Sequence, residues 1–213
     1  MINQLFCLFL PTMKLTAPNI VSMIRVVIAP IFFFLLISKQ SNAILSATIL
    51  YHIGAFTDFL DGWLARRMKL VSEWGNFFDP LADKVLTGAA FIAFVVIGIA
   101  NVWMVTVILF RDVFTTYMRV LADKQNKPLV TSWTAKVKTF LQMIYISGIL
   151  ILMLIDAYIG TQSHLLEQAF SMNILSISLI LLTGLTIWSA IEYIIGNKYV
   201  FNKSVVVPEQ NQD

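Results

Sequence analysis

Six apolar runs, each about 18 to 22 residues long, limit what this chain can become more than any other feature of it. A run of that length satisfies its own backbone hydrogen bonds as a helix and is long enough to cross a hydrocarbon layer of roughly 30 Å. The runs cover approximately Ile20 to Ile37, Ala43 to Leu60, Leu81 to Ala100, Val102 to Leu121, Val137 to Ile159 and Ile174 to Ile195. Weak polar/apolar alternation and the lack of hairpin signals argue against a transmembrane barrel. With 58% hydrophobic and 13% charged residues among 213, and a mean hydropathy of +0.80, too little polar surface remains to coat a soluble domain. The expected fold is therefore an all-α integral membrane protein with six transmembrane helices.

Charge orients the helices. Of the 15 Lys and Arg residues, only Lys39 falls in a loop on one side, and the others gather at the N-terminus, after the second and fourth runs, and after the last. Basic loops stay in the cytoplasm, so both termini are expected there, with the chain in the cell's inner (cytoplasmic) membrane. The net charge of +3 suits contact with anionic headgroups. No basic tract interleaved with aromatics points to nucleic acid.

The opening "MINQLFCLFLPTMK" lacks the basic start and small-residue cleavage site of a signal peptide, and an interfacial helix within residues 1–18 is expected instead. Cys7, the single cysteine, excludes an internal disulfide. No repeat or Pro/Gly-rich linker divides the chain. One membrane domain is expected over residues 1–200, followed by a polar tail over 201–213.

The stretch "TDFLDGWLARRMKLVSEWGNFFDPLADKV", Thr57 to Val85, places four carboxylates in this apolar setting. Asp58 and Asp61 are three apart and Asp79 and Asp83 four apart, so each pair shares one face of a helix. A loop of about 17 residues is expected to bring the pairs opposite each other. Four converging carboxylates at a membrane edge cost several kcal/mol each unless cations neutralise them. Hard oxygen donors without nearby His or Cys favour Mg²⁺ or Mn²⁺, and four carboxylates suffice for two such ions. Paired divalent ions suit phosphoryl chemistry. Gly62, Ala65 and Gly75 lack bulk where a ligand approaches backbone, and Arg66 can grip phosphate oxygens in a bidentate way.

A second polar region follows. Arg111 lies roughly 14 Å along the fourth run at 1.5 Å per residue, where a lipid-facing guanidinium is costly. It is expected to face a polar cavity, with Asp112 nearby and Arg119 about two turns closer to the cytoplasm. Lys136 and Lys138 add charge at the mouth of the fifth run, pointing in different directions. The ligand these cations predict is a small, doubly charged anion. His52 is expected to be a hydrogen-bonded packing residue. Trp103, Trp133 and Trp188 read as interfacial anchors near run ends.

The order Asp58-x2-Asp61-Gly62-x2-Ala65-Arg66-x8-Gly75-x3-Asp79-x3-Asp83 resembles the signature of the CDP-alcohol phosphotransferase family at every fixed position. That resemblance implies a homodimer of six-helix membrane subunits that transfers a phosphoryl-linked group from a CDP-activated substrate to an alcohol and releases CMP. It implies metal ligation by Asp58, Asp61, Asp79 and Asp83, with Asp83 also the general base. Gly62, Ala65, Arg66 and Gly75 would line the CDP site. "APNIVSMIRVVIAP", "RDVFTTYMR" and "SWTAKVKTFLQM" further resemble one branch of the family, although Asp112 and Ala135 stand where that branch often has Glu and Gly. The branch implies CDP-diacylglycerol as donor and glycerol 3-phosphate as acceptor. Asn19 and Arg25 would then lie near the CDP site, and Arg111, Arg119, Lys136 and Lys138 would bind the acceptor phosphate. Sister enzymes that make cardiolipin or inositol lipids share parts of these patterns, and buried acidic residues also mark cation transporters.

Overall fold

In the computed structural model the backbone is described over residues 17–68, 73–124, 133–159 and 172–197, and the side chains over 23–57, 84–119, 122, 133–159 and 172–197. All of the regular structure among the described residues is helical. Six helices follow one another: α1 (Ala17–Ile37), α2 (Ser41–Met68), α3 (Glu73–Ile97), α4 (Val102–Lys124), α5 (Trp133–Ile159) and α6 (Ile174–Gly196). Each apolar run lies within or nearly within one helix. The proposed interfacial segment, apart from the first residues of α1, and the C-terminal tail fall outside the described residues.

The helices overrun the apolar windows on the side where the charges gather. α2 continues past Leu60 to Met68, α3 begins at Glu73 rather than Leu81, and α5 begins at Trp133 rather than Val137. The 17-residue loop expected between Asp61 and Asp79 is therefore mostly helix. Leu, Ala, Arg and Met in "WLARRM" are good helix formers, and hydropathy marks where a chain is apolar, not where its helix stops.

On the opposite side the turns between α1 and α2 and between α3 and α4 are short and have identifiable causes. Lys39 adopts φ 56° between α1 and α2. Gly98 adopts φ 92° after α3, where the Ile99 and Ala100 amides both donate to the Phe94 carbonyl, at 2.8 and 3.1 Å. A left-handed glycine closing a helix this way is the expected C-terminal cap.

Packing follows the order α1, α2, α5, α6, α4, α3 and back to α1, with further contacts of α3 against α5 and α2. Phe32 and Leu36 of α1, Ala47 and Tyr51 of α2, and Ala90, Phe91 and Phe94 of α3 are buried together in the core. Small residues let the helices approach, and the Phe32 and Tyr51 rings meet with centroids 5.7 Å apart. Near the Lys39 side, α2 and α5 are tied by hydrogen bonds from Ser41 Oγ to the Ala157 carbonyl at 3.0 Å and from the Tyr158 hydroxyl to Asn42 Oδ1 at 3.0 Å.

The outside is as apolar as the inside. Phe34, Phe110 and Leu181 are 65%, 71% and 68% exposed, and every helix turns such residues outward. Hydrocarbon, not water, stabilises a surface of that kind, and the chain is a membrane protein. α5 and α6 are each long and apolar enough to cross a bilayer unaided; the described apolar segments Met23–Ile37 and Lys84–Ile97 of α1 and α3 are shorter. Trp103 and Trp133 stand exposed at the starts of α4 and α5, and Trp188 lies exposed on α6.

Candidate active site

Asp58, Asp61, Gly62, Ala65 and Arg66 occupy the last three turns of α2, and Gly75, Asp79 and Asp83 the first three of α3. Their side chains, and that of Asn19 near the start of α1, lie outside the described residues. What is described is the contact beside them. Gly54 of α2 is buried against Leu86 of α3, and a Cβ built on Gly54 would lie 2.7 Å from Leu86 Cδ2. Gly54 is one turn before Asp58 and Leu86 one turn after Asp83, so this contact lies about one turn from the carboxylates in the chain.

A small cavity opens at this contact, between α1, α2, α3 and α5. Arg25, Tyr51, Gly54, Lys84, Thr87 and Thr139 line it. Arg25 is 3% exposed, so a cation from α1 is buried at a cavity that also receives Lys84, the residue following Asp83. Two cationic side chains at one small recess contribute positive potential there, which favours an anionic ligand nearby. Lys84 was not among the residues expected at the site; its one signal is its place beside the last aspartate.

A second buried polar cluster lies on the other face of α5. Asp112 of α4 accepts hydrogen bonds from Arg111 Nη1 at 3.2 Å, from Lys138 Nζ and from Gln142 Nε2 at 3.3 Å. Arg111 Nη2 donates to Ser189 Oγ on α6 at 2.7 Å. Arg111, Asp112, Lys138, Gln142 and Ser189 are 8%, 4%, 0%, 1% and 0% exposed, so two cations and a single carboxylate are held away from solvent. Arg111 Nε has no hydrogen-bond partner among the described residues. Thr115 and Thr116 spend their hydroxyls on the backbone carbonyls of Arg111 and Asp112. The cluster keeps an excess positive charge and free guanidinium N–H capacity, which is the chemistry of an anion site.

Of the four cations expected to bind acceptor phosphate, the structure brings two together. Arg111 and Lys138 meet at Asp112, while Arg119 and Lys136 are exposed and make no hydrogen bond or ion pair among the described residues. The divergence of Lys136 and Lys138 follows from their separation of two on a helix. Lys138 and Gln142 share the face toward α4, and their neighbours Thr139 and Met143 share the face toward the Arg25 cavity, so α5 connects the two polar regions. Ser189 was not anticipated, although a serine inside the apolar stretch of α6 is itself a signal. His52 is hydrogen-bonded as expected, with Nδ1 at 2.8 Å from the Thr48 carbonyl and its ring edge-on to Tyr51, but it lies exposed on the outer face of α2 and is not packed in the core.

Among the described residues no group of three or more His, Cys, Asp or Glu side chains forms a metal site. The four aspartates fall outside that set, and the test available for a metal is the chemistry of the donors. Four carboxylates on two adjoining helix ends are a hard-oxygen donor set that fits Mg²⁺ or Mn²⁺.

Helices so arranged, with the Asp-Asp-Gly-Ala-Arg-Gly-Asp-Asp order on α2 and α3, define a membrane-embedded transferase of CDP-linked substrates. The profile of the CDP-alcohol phosphatidyltransferase family matches residues 15–192, and the chain belongs to that family. It is 33% identical over 146 residues to a CDP-diacylglycerol–glycerol-3-phosphate 3-phosphatidyltransferase of Bacillus subtilis, covering 63% of this chain and 76% of the relative. Proteins of the same name from Haemophilus influenzae and Pseudomonas fluorescens are each 29% identical. The first match covers 85% of this chain and 93% of the relative, the second 83% and 87%.

Proposed function

We propose that the protein transfers the phosphatidyl group of CDP-diacylglycerol to glycerol 3-phosphate, giving phosphatidylglycerophosphate and CMP. The observation that carries this reading is the unbroken signature on α2 and α3, two helices in contact at Gly54 and Leu86 beside it. The names of the relatives support the donor and the acceptor.

Enzymes of this family generally depend on divalent metal. Asp58, Asp61, Asp79 and Asp83 are the residues that would hold two ions, Mg²⁺ or Mn²⁺, whose charge would offset that of the diphosphate and of departing CMP. Asn19, Arg25, Gly62, Ala65, Arg66 and Gly75 bind the CDP portion, with Arg66 and Arg25 contributing charge and the small residues admitting it close to backbone. Arg111 and Lys138 bind the acceptor phosphate from the buried cluster, and Arg119 and Lys136 draw it in from the exposed side. The acceptor hydroxyl oxygen bonds to the phosphorus distal to cytidine, the bond from that phosphorus to the bridging oxygen breaks, and CMP leaves with that oxygen. Asp83 takes the hydroxyl proton.

The donor's acyl chains stay in the bilayer while the acceptor arrives from water, which requires a site at a membrane–water rim; the charge bias makes that rim the cytoplasmic one of the inner membrane in this reading. Six crossings with both termini cytoplasmic satisfy this, and they also put fourteen basic residues on that side, all except Lys39 of the 15. In this reading residues 1–200 act as one membrane domain, with an interfacial segment over 1–18 and a polar tail over 201–213, and two copies form a homodimer.

The test is an acceptor panel. Purified protein in mixed micelles with CDP-diacylglycerol and Mg²⁺ should release CMP with glycerol 3-phosphate, and not with inositol phosphate, serine or phosphatidylglycerol. Preference for another acceptor would overturn the acceptor and keep the reaction class. Metal flux without CMP release would favour a transporter.

A further inference from the structure

We infer that Ser189, on a helix that carries none of the signature residues, is a positioning residue for the acceptor phosphate through its hold on Arg111. The inference rests on the reading of Arg111 as a phosphate ligand and adds a part to it. Arg111 has five N–H donors, and the described structure occupies one on each terminal nitrogen: Nη1 toward Asp112 and Nη2 toward Ser189. The two bonds come from different helices, and together they fix both the position and the plane of the guanidinium. Nε–H remains buried and unpartnered among the described residues, available to an anion.

Ser189 suits this task because of how its own hydroxyl is committed. Its hydrogen goes to the Thr186 carbonyl one turn back at 3.2 Å, which aims a lone pair at Arg111 Nη2. Ser189 and Thr186 are both fully buried, and neither competes with water for these bonds. Without Ser189 the guanidinium keeps only its bond to Asp112, a carboxylate already shared with Lys138 and Gln142. It would then swing toward that carboxylate and away from an incoming phosphate. Pre-orientation of this kind acts on acceptor binding and leaves the donor site, proposed on α1, α2 and α3, untouched.

The experiment uses the full chain in mixed micelles with CDP-diacylglycerol, Mg²⁺ and varied glycerol 3-phosphate. Loss of one hydrogen bond to a charged group predicts a rise of about tenfold in KM for glycerol 3-phosphate in Ser189→Ala, with KM for CDP-diacylglycerol within about twofold. Inorganic phosphate, competing with the acceptor, should weaken by the same factor. In an Arg111→Gln chain, Ser189→Ala should add nothing, because the group it positions is gone. If Ser189→Ala fails to insert, Ser189→Cys, which offers a weak acceptor in nearly the same volume, reads the same split. An unchanged acceptor KM, a parallel rise for both substrates, or an undiminished effect in the Arg111→Gln chain would overturn the role of Ser189. Failure of the unsubstituted protein to use glycerol 3-phosphate would instead overturn the reading of the reaction.

Discussion

Leu86 of α3 occupies the space that a side chain on Gly54 of α2 would need, with Leu86 Cδ2 2.7 Å from where a Cβ would stand. This contact joins the two aspartate-bearing helices about one turn along the chain from Asp58 and from Asp83.

A larger residue at that point should therefore act on the site through helix spacing. Gly54→Leu is expected to cost about 1 to 3 kcal/mol by overpacking and to lower CMP release by more than the loss of folded protein explains. Leu86→Ala in the same chain should restore part of both. Thermal unfolding in detergent, paired with activity per folded molecule, measures the two effects separately, and a Gly54→Leu chain of full activity would remove the contact from the account.

Carboxylate chemistry is tested by isosteric neutralisation. Asp79→Asn and Asp83→Asn should each reduce CMP release by about a hundredfold or more, the scale of losing a metal ligand or a general base, with normal membrane insertion. Near-normal phospholipid composition in cells carrying either substitution would contradict the assignment.

Metal dependence has its own readout. Excess EDTA should abolish CMP release, and Mg²⁺ or Mn²⁺ should restore it. Asp58→Asn should raise the Mg²⁺ concentration needed for half-maximal activity by about tenfold, the low end of what disturbing one group in a metal site costs. Activity indifferent to chelation would exclude the proposed ions.

Asp112 carries the buried cluster. Asp112→Ala leaves Arg111 and Lys138 as buried cations without their carboxylate and should cost about 3 to 5 kcal/mol. Asp112→Glu keeps the charge one methylene further out and should retain most of the stability. Equal losses in the two variants, measured by thermal unfolding in detergent, would mean that charge pairing is not what holds α4 to α5.

Much of this protein was legible before any tertiary structure. The six apolar runs predict the six helices because a backbone in hydrocarbon must satisfy its own hydrogen bonds locally, and local requirements leave local traces. The carboxylate pairs at spacings of three and four carry helix geometry in their numbering, and the burial of Arg111 with Asp112 beside it follows from the cost of a cation facing lipid. The helix ends were less legible: α2 extends through "WLARRM", where hydropathy stops reporting but helix propensity continues, and α3 begins at "EWGNFF", where neither hydropathy nor propensity marks a start.

Partners far apart in the chain were decided by the tertiary structure alone. Nothing in the spacing of Arg111 and Ser189, 78 residues apart, states that α4 lies against α6, nor that Lys138 turns inward to Asp112 while Lys136 faces out. Amino-acid order fixes which residues share a face of one helix, through a period of 3.6. Which faces meet depends on the packing of all six helices at once, where small residues such as Gly54 set the distances, and that information is distributed over the whole chain.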